Sequence, residues 1–279
     1  IGVDGIYLDN ACYIQGCLAP SCCYRRPDGT LQPVFRLYQY REFMRKLAGV
    51  FVRHGKEPFI MAHVSSGIIP PVFSFATGIM GGENLMAYNY TQNHVQAYSE
   101  AKMVAELCGV PLGLIGFWYS DIKYPLFKKF NPDSPLTYEQ FRDKLADSYI
   151  GMSLLYDTLC PGMRDNEFNR QIDEIRFRFG IGADDVAFHP YVVADARIIA
   201  DNADVKVSYY TREQGLFVTA VNFSAEETRA KLTLPPSVLR ILDQGRPLVE
   251  PFSGQPVSVE GDTIRVEIGP HGYTAATTF

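Results

Sequence analysis

The chain has 279 residues, 47% of them hydrophobic and 20% charged, which is enough apolar material for a sizeable core and too much for a disordered chain. A net charge of −5 and a pI near 5.6 exclude the basic face that a nucleic acid or an acidic membrane surface selects. No apolar run approaches the roughly 20 residues of a membrane span.

The chain opens on a buried-strand pattern, Ile6 to Leu8, that stops at a carboxylate, Asp9. Apolar runs closed by a polar or aromatic residue recur at 58–63, 78–83, 112–118 and 152–157. Between them lie helix-like segments, so the spacing predicts the β/α alternation of a parallel sheet. Active-site groups of such folds sit at the C-terminal ends of strands.

The helices follow from period. In 41–51, Phe43, Met44, Leu47, Val50 and Phe51 recur at three- and four-residue spacing. Residues 93–108 behave similarly, as do residues 137–150, which open on the N-cap candidate Thr137. Residues 166–179 place Phe168, Ile172, Ile175 and Phe179 on one side and Asp173, Glu174, Arg176 and Arg178 mainly outward, and they stop at Gly180.

Beyond about Val205 the pattern changes to short, partly alternating runs at 205–210, 216–222, 229–234, 239–243, 256–259, 263–268 and 272–278, broken by Gly, Pro and Asp turns. These predict a small antiparallel β domain, with 184–204 as a partly packed connection. The fold expected is α/β: the C-terminal part of a (β/α)8 TIM-type barrel over 1–190, then an all-β domain over 191–279. A full barrel takes about 250 residues, and the chain begins inside a strand without an initiator Met, so a fragment with upstream strands missing and apolar edges prone to self-association is expected. The beginning of the chain leaves a signal peptide undecided; an extracellular or periplasmic setting is favoured for this class.

The order Gly5-Ile6-Tyr7-Leu8-Asp9, a Cys-rich loop closing on Asp28-Gly29, the strand end Ala62-His63-Val64-Ser65-Ser66, and Gly81-Gly82-Glu83 resembles the glycoside hydrolase family 123-like barrel proteins, relatives of β-N-acetylgalactosaminidases. The run 216–224 looks like the β domain, an antiparallel sandwich, that follows the barrel in many glycosidases. The resemblance implies O-glycosyl hydrolysis of an oligosaccharide or polysaccharide. It also implies an adjacent Asp-Glu pair in a substrate-assisted mechanism, where this chain has Asp9-Asn10; an amide orients a hydroxyl or acetamide but donates no proton as an acid.

Glycosidic cleavage is commonly run by two carboxyl groups, and Asp9 and Glu83 are the candidate pair, Asp9 as nucleophile or stabiliser and Glu83 as general acid and base. Gly81 and Gly82 before Glu83 allow close backbone approach. Candidate substrate contacts are Tyr7, which alternates with Asp9 on one strand face, and Asn10, His63, Tyr88, Trp118, Tyr119 and Asp157; Trp118, the single tryptophan, suits a pyranose floor as well as it suits a core. Cys12, Cys17, Cys22 and Cys23 crowd one loop, and disulfides, free thiols and a metal site stay open for them, although their spacing matches no paired zinc knuckle. No dinucleotide fingerprint or phosphate loop is present, so no cofactor is expected. The non-enzymatic alternative is a degenerate barrel that binds glycan without cleaving it.

Overall fold

In a computed structural model that describes residues 2–11, 16–64, 67–108, 113–120, 122–159, 167–193 and 197–279, four of the apolar runs become parallel strands: Ile6–Leu8, Ile60–His63, Gly78–Gly81 and Ile115–Trp118. They pair in that order, with Leu8 opposite Ala62, His63 opposite Met80 and Gly81 opposite Trp118. Ile60–His63 is buried along its whole length, as expected for a strand covered on both faces. Leu112, counted in the fourth run, lies outside the described residues, and among the described residues these strands form an open sheet.

By its contacts the chain divides into two compact units, Ile1–Asn84 with Ala101–Tyr119, and Leu85–Glu100 with Ser120–Phe279. The four strands belong to the first. Helix Leu37–Arg53 buries Met44, Ala48 and Phe51 against Ile60, Ala62 and Ile79. Phe43 and Val50, counted in the same stripe, sit at its exposed edge.

The segment expected as one helix over 93–108 is broken into helix His94–Ala97, a turn at Glu100–Lys102 and a π-helical stretch Met103–Leu107. Asn93 and Gln96 close a capping box on the first piece, and Tyr98 then takes an extended conformation that ends it.

In the second unit, helix Tyr138–Leu155 starts at Thr137, whose side chain accepts from the Gln140 backbone N–H in a capping box. It takes in residues 152–155 of the run 152–157 that alternation marks as a strand; a short strand, Thr158–Leu159, follows the turn at 156–157. Met152, Leu154 and Leu155 are fully buried, so the end of the helix is covered all round and its apolar run imitates a buried strand in sequence. Helix Glu167–Phe179 stops at Gly180 in the left-handed region (φ 82°). Its buried residues include Ile175 and Phe179; the side chains of Phe168 and Ile172 lie outside the described residues. Arg176, expected to face outward, is buried instead.

The remainder forms two four-stranded sheets. One runs Ala187–His189, Val205–Arg212, Gly215–Asn222, Tyr273–Thr277; the other Ile199–Ala200, Thr228–Thr233, Thr263–Ile268, Val259–Glu260. All their described pairings are antiparallel. The run 239–243, expected as a strand, lies in helix Pro236–Leu242, because Pro236 at the first helical position pre-sets the helical φ and Val238 is anchored in the core. Gly215–Asn222 is buried at every residue. Leu216, Val218 and Ala220 face Leu232 and Ile264 of the second sheet, while Phe217 faces Ile150, Leu154 and Phe179 of the two helices.

Helix and sheet approach closely at Gly151, where a Cβ would stand 2.7 Å from Tyr273 Cβ and 3.2 Å from Val221 Cγ2. By helix propensity Gly151→Ala would add about 1 kcal/mol; the overlap with a Cβ that cannot rotate away outweighs it. The substitution is expected to lower unfolding free energy by a net ~1–3 kcal/mol in urea titrations, and a neutral or stabilised variant would disprove the close-approach account.

The same unit buries an uncharged histidine. His94 is fully buried, with Nδ1 3.0 Å from Ser148 Oγ and Nε2 3.0 Å from Ser120 Oγ. Ser148 Oγ donates its single proton to the Leu145 carbonyl, so Nδ1 donates to Ser148 and Nε2 accepts from Ser120. Burial pushes His94 down to about 3 from an ordinary value of 6.5. The unfolded chain therefore takes up a proton below about pH 6.5 that the folded chain refuses until about pH 3. Stability present above pH 6.5 is expected to fall progressively across that window, and burial depresses His189 and His271 in the same direction. Thermal midpoints between pH 7.5 and 4 check this; the acid-side decline should be shallower in His94→Gln.

Candidate active site

The parallel register carries the strand ends to one edge of the first unit. Asp9 follows Leu8 directly, and Asn10 takes a left-handed φ of 52° that its short amide side chain tolerates. Tyr7 and Asp9 point to the same face, and the Tyr7 hydroxyl donates to Asp9 Oδ1 at 3.2 Å. Asn10 Nδ2 donates to Asp9 Oδ2 at 3.2 Å.

His63 stands at the end of the neighbouring strand. Its Nδ1 is 2.9 Å from Asp9 Oδ1 and its Nε2 is 3.3 Å from Glu83 Oε2. The imidazole side chain is only 6% exposed, whereas the carboxylate side chains of Asp9 and Glu83 are 64% and 41% exposed. A buried ring thus spans two solvent-facing carboxyl groups, and Tyr7 stacks on that ring with centroids 6.2 Å apart.

Glu83 reaches this position because of the glycine before it. Gly82 adopts φ 100°, and a Cβ there would stand 2.7 Å from Trp118 Cδ1 and 2.9 Å from the Tyr119 carbonyl oxygen. The Trp118 ring is fully buried against this turn, so it packs the strand ends from beneath and offers no open face for a sugar. Tyr119 continues the sheet by donating its N–H to the Gly81 carbonyl at 2.8 Å and remains partly exposed.

Hydrogen bonds from His63 first, then from Tyr7 and the Asn10 backbone, hold the Asp9 carboxyl below the usual carboxylate range. Burial, with the Asp9 charge and hydrogen bond next and Glu83 and Tyr119 after them, pushes the Tyr7 hydroxyl up to about 12. Asp9 is therefore an anion and Tyr7 a protonated donor across the neutral range.

Among the sequence candidates, Tyr7, Asp9, Asn10, His63 and Glu83 converge, with Tyr119 influencing Tyr7. Tyr88 and Asp157 belong to the second unit. Asp157 is no open substrate ligand: its Oδ1 accepts from Arg176 Nη1 at 2.9 Å and from the Tyr210 hydroxyl at 2.8 Å. Arg176 also bonds the Ser153 and Thr158 carbonyls, so this pair ties a helix end to its neighbours.

In the loop after Asn10, Cys17, Cys22 and Cys23 are free thiols; Cys108 is buried, and Cys12 and Cys160 lie outside the described residues. Among the described residues no three His, Cys, Asp or Glu side chains converge as metal ligands. The residue that sequence reasoning missed here is Arg36, whose guanidinium contacts Cys22 Sγ. A basic residue just before a helix carries no sequence signal for that contact.

No protein-family model matches the sequence, and no curated protein does. Solved structures similar to the chain include a GH27 β-L-arabinopyranosidase from Geobacillus stearothermophilus, at 15% identity and TM-score 0.48 over 85% of this chain and 54% of that one. A maltogenic alpha-amylase from Thermotoga neapolitana is similar at 12% identity and TM-score 0.47, over 92% and 72% of the two chains. An Anoxybacillus alpha-amylase is similar at 10% identity and TM-score 0.49, over 86% and 55%. The chain thus spans about half the length of the arabinopyranosidase. Likeness at this level transfers no chemistry, and any role assigned to this chain rests on its own residues.

Proposed function

We propose that the edge carrying Asp9, His63 and Glu83 is the active site of an O-glycosyl hydrolase acting on an oligosaccharide or polysaccharide. The observation that carries this reading is the pair of exposed carboxylates following two strands of one sheet, with the buried imidazole at the end of the strand between them. Two carboxyl groups of opposite protonation are what glycosidic cleavage requires, one to protonate the departing oxygen and one to activate water or attack carbon. Neighbouring phenols of Tyr7 and Tyr119 supply donors and ring surface for a sugar.

His63 sorts the two roles. Its Nδ1 meets Asp9, whose carboxyl is held below the usual range, and its Nε2 meets Glu83. Asp9 is then the base and Glu83 the acid. Glu83 gives its proton to the glycosidic oxygen as the C–O bond breaks, and Asp9 takes one from the water that bonds to the anomeric carbon. Retaining pairs stand roughly 5–5.5 Å apart and inverting pairs roughly 6.5–9.5 Å. An imidazole with a carboxylate oxygen at each nitrogen is a spacer of the wider kind, so inversion is the expected outcome. The Asp-Glu pair of the β-N-acetylgalactosaminidases is not reproduced, since Asn10 spends its amide on Asp9.

A screen of aryl glycosides and polysaccharides tests the reading. Asp9→Asn and Glu83→Gln should each lower kcat by ~10²–10⁴ while sugar binding persists, and proton NMR of the first product should show the inverted anomer. Sugar binding by the wild type without turnover would leave the glycan-binding alternative in its place.

The role of His63 has its own signature. Removing the hydrogen bond that holds Asp9 down raises the acid limb of the pH–rate profile. The acid limb of His63→Leu should therefore move to higher pH, whereas a purely structural loss would lower the rate and leave the limb in place.

A further inference from the structure

The loop between Asn10 and helix Leu37–Arg53 holds a second arrangement of reactive groups, separate from the carboxylates. Gly16–Cys17 pairs with Val34–Phe35, and Tyr24–Arg25 with Leu31–Gln32. These two short ladders fold the segment back on itself and bring Arg36, next to the first ladder, to the turn that carries Cys22. The Arg36 guanidinium contacts Cys22 Sγ, and Ser21 Oγ lies 3.8 Å from the same sulfur. Cys17 pairs with Val34, two residues before Arg36, so the ladder brings Cys17 toward the guanidinium that Cys22 contacts. Cys23, adjacent in sequence, turns away, and its Sγ donates to the Leu18 carbonyl at 3.3 Å.

We propose that Cys22 is a peroxide-reactive thiolate and that Cys17 is its resolving partner, so that oxidation links the two in a disulfide. The chemistry follows from the contacts. A cation and hydroxyl- or thiol-hydrogen donors around one sulfur stabilise its anion, and the thiolate is the form that attacks. The hydrogen bond from Cys17, then Ser21 and Arg36, holds the Cys22 thiol below its ordinary range. The sulfur is partly exposed, so a small oxidant reaches it.

In the first step Cys22 S⁻ attacks one oxygen of hydrogen peroxide, an S–O bond forms, the O–O bond breaks, and hydroxide leaves. In the second, the Cys17 sulfur attacks the Cys22 sulfur, the S–S bond forms, the S–O bond breaks, and the departing hydroxide takes the Cys17 proton as water. The free hydroxide of the first step recovers a proton from solvent, matching the one Cys22 released on ionising. Two thiols are oxidised by two electrons and one peroxide is reduced to two waters. The disulfide ties the Gly16–Cys17 ladder to the turn at 19–23, in the segment that follows Asp9 and Asn10.

The experiment uses the full chain, reduced first with dithiothreitol, freed of reductant, and treated with one equivalent of hydrogen peroxide. Remaining thiols are then alkylated and located by peptide mass spectrometry. The expected product is a Cys17–Cys22 cross-link with Cys23 and Cys108 still alkylated. In Cys17→Ser the reaction should stop at a Cys22 sulfenic acid that dimedone captures, and Arg36→Gln should slow oxidation by at least about threefold. On the unmutated chain, Cys22 should be alkylated by iodoacetamide at neutral pH faster than Cys23, a readout that needs no variant to fold. Equal alkylation rates at the two sulfurs, or a cross-link that joins Cys22 to Cys12 or Cys23, would overturn the proposal.

Discussion

The hydrogen-bonded register of the parallel strands is the constraint on which the candidate site depends. Leu8 pairs with Ala62, His63 with Met80 and Gly81 with Trp118, so the residues just past each strand end arrive at one edge. A strand has a side-chain period of two, and a slip of one residue would turn His63 to the opposite face and separate it from both carboxylates. What holds the register is burial: Ile60, Ala62 and Ile79 are fully covered by the helix Leu37–Arg53 and its neighbours, and a slipped strand would lose that cover.

Burying an imidazole between two acids settles a conflict between solvation and charge. A covered histidine is costly if its nitrogens go unmet, and here each faces a carboxylate oxygen while both carboxylates stay open to solvent. The acids remain available to a substrate, and the ring that organises them is protected from it. Gly82 contributes from behind. With φ 100° and Trp118 against it, no side chain fits, and the backbone turns sharply enough to send Glu83 back toward His63.

The second unit is organised by a different requirement, double-sided burial. Gly215–Asn222 has the second sheet on one face and the helices Tyr138–Leu155 and Glu167–Phe179 on the other. This is why Gly151 is needed in mid-helix, and why the end of that helix is buried on every side. Two of the charged or titratable side chains enclosed there find partners inside the unit. His94 sits between two serine hydroxyls, and Arg176 is matched to Asp157 and two carbonyls.

The sequence by itself determined the elements whose signals are local. Leu8 closing on Asp9, the Thr137 and Gln140 cap, the Gly180 stop and the alternation of Thr228–Thr233 are short-range patterns, and each matches the structure because neighbouring residues decide it. Both carboxylates and His63 were legible for the same reason, as polar residues ending apolar runs. Burial from distant segments is not written locally, so the runs at 152–157 and 239–243 read as strands although most of each is helical. Trp118 read as a possible sugar platform and is enclosed. Only tertiary structure decided that His63 joins Asp9 to Glu83, that Asp157 is spent on Arg176 and that Arg36 meets Cys22. Each of those contacts links residues at least 14 positions apart, brought together by strand pairing or core packing rather than by their own local preferences.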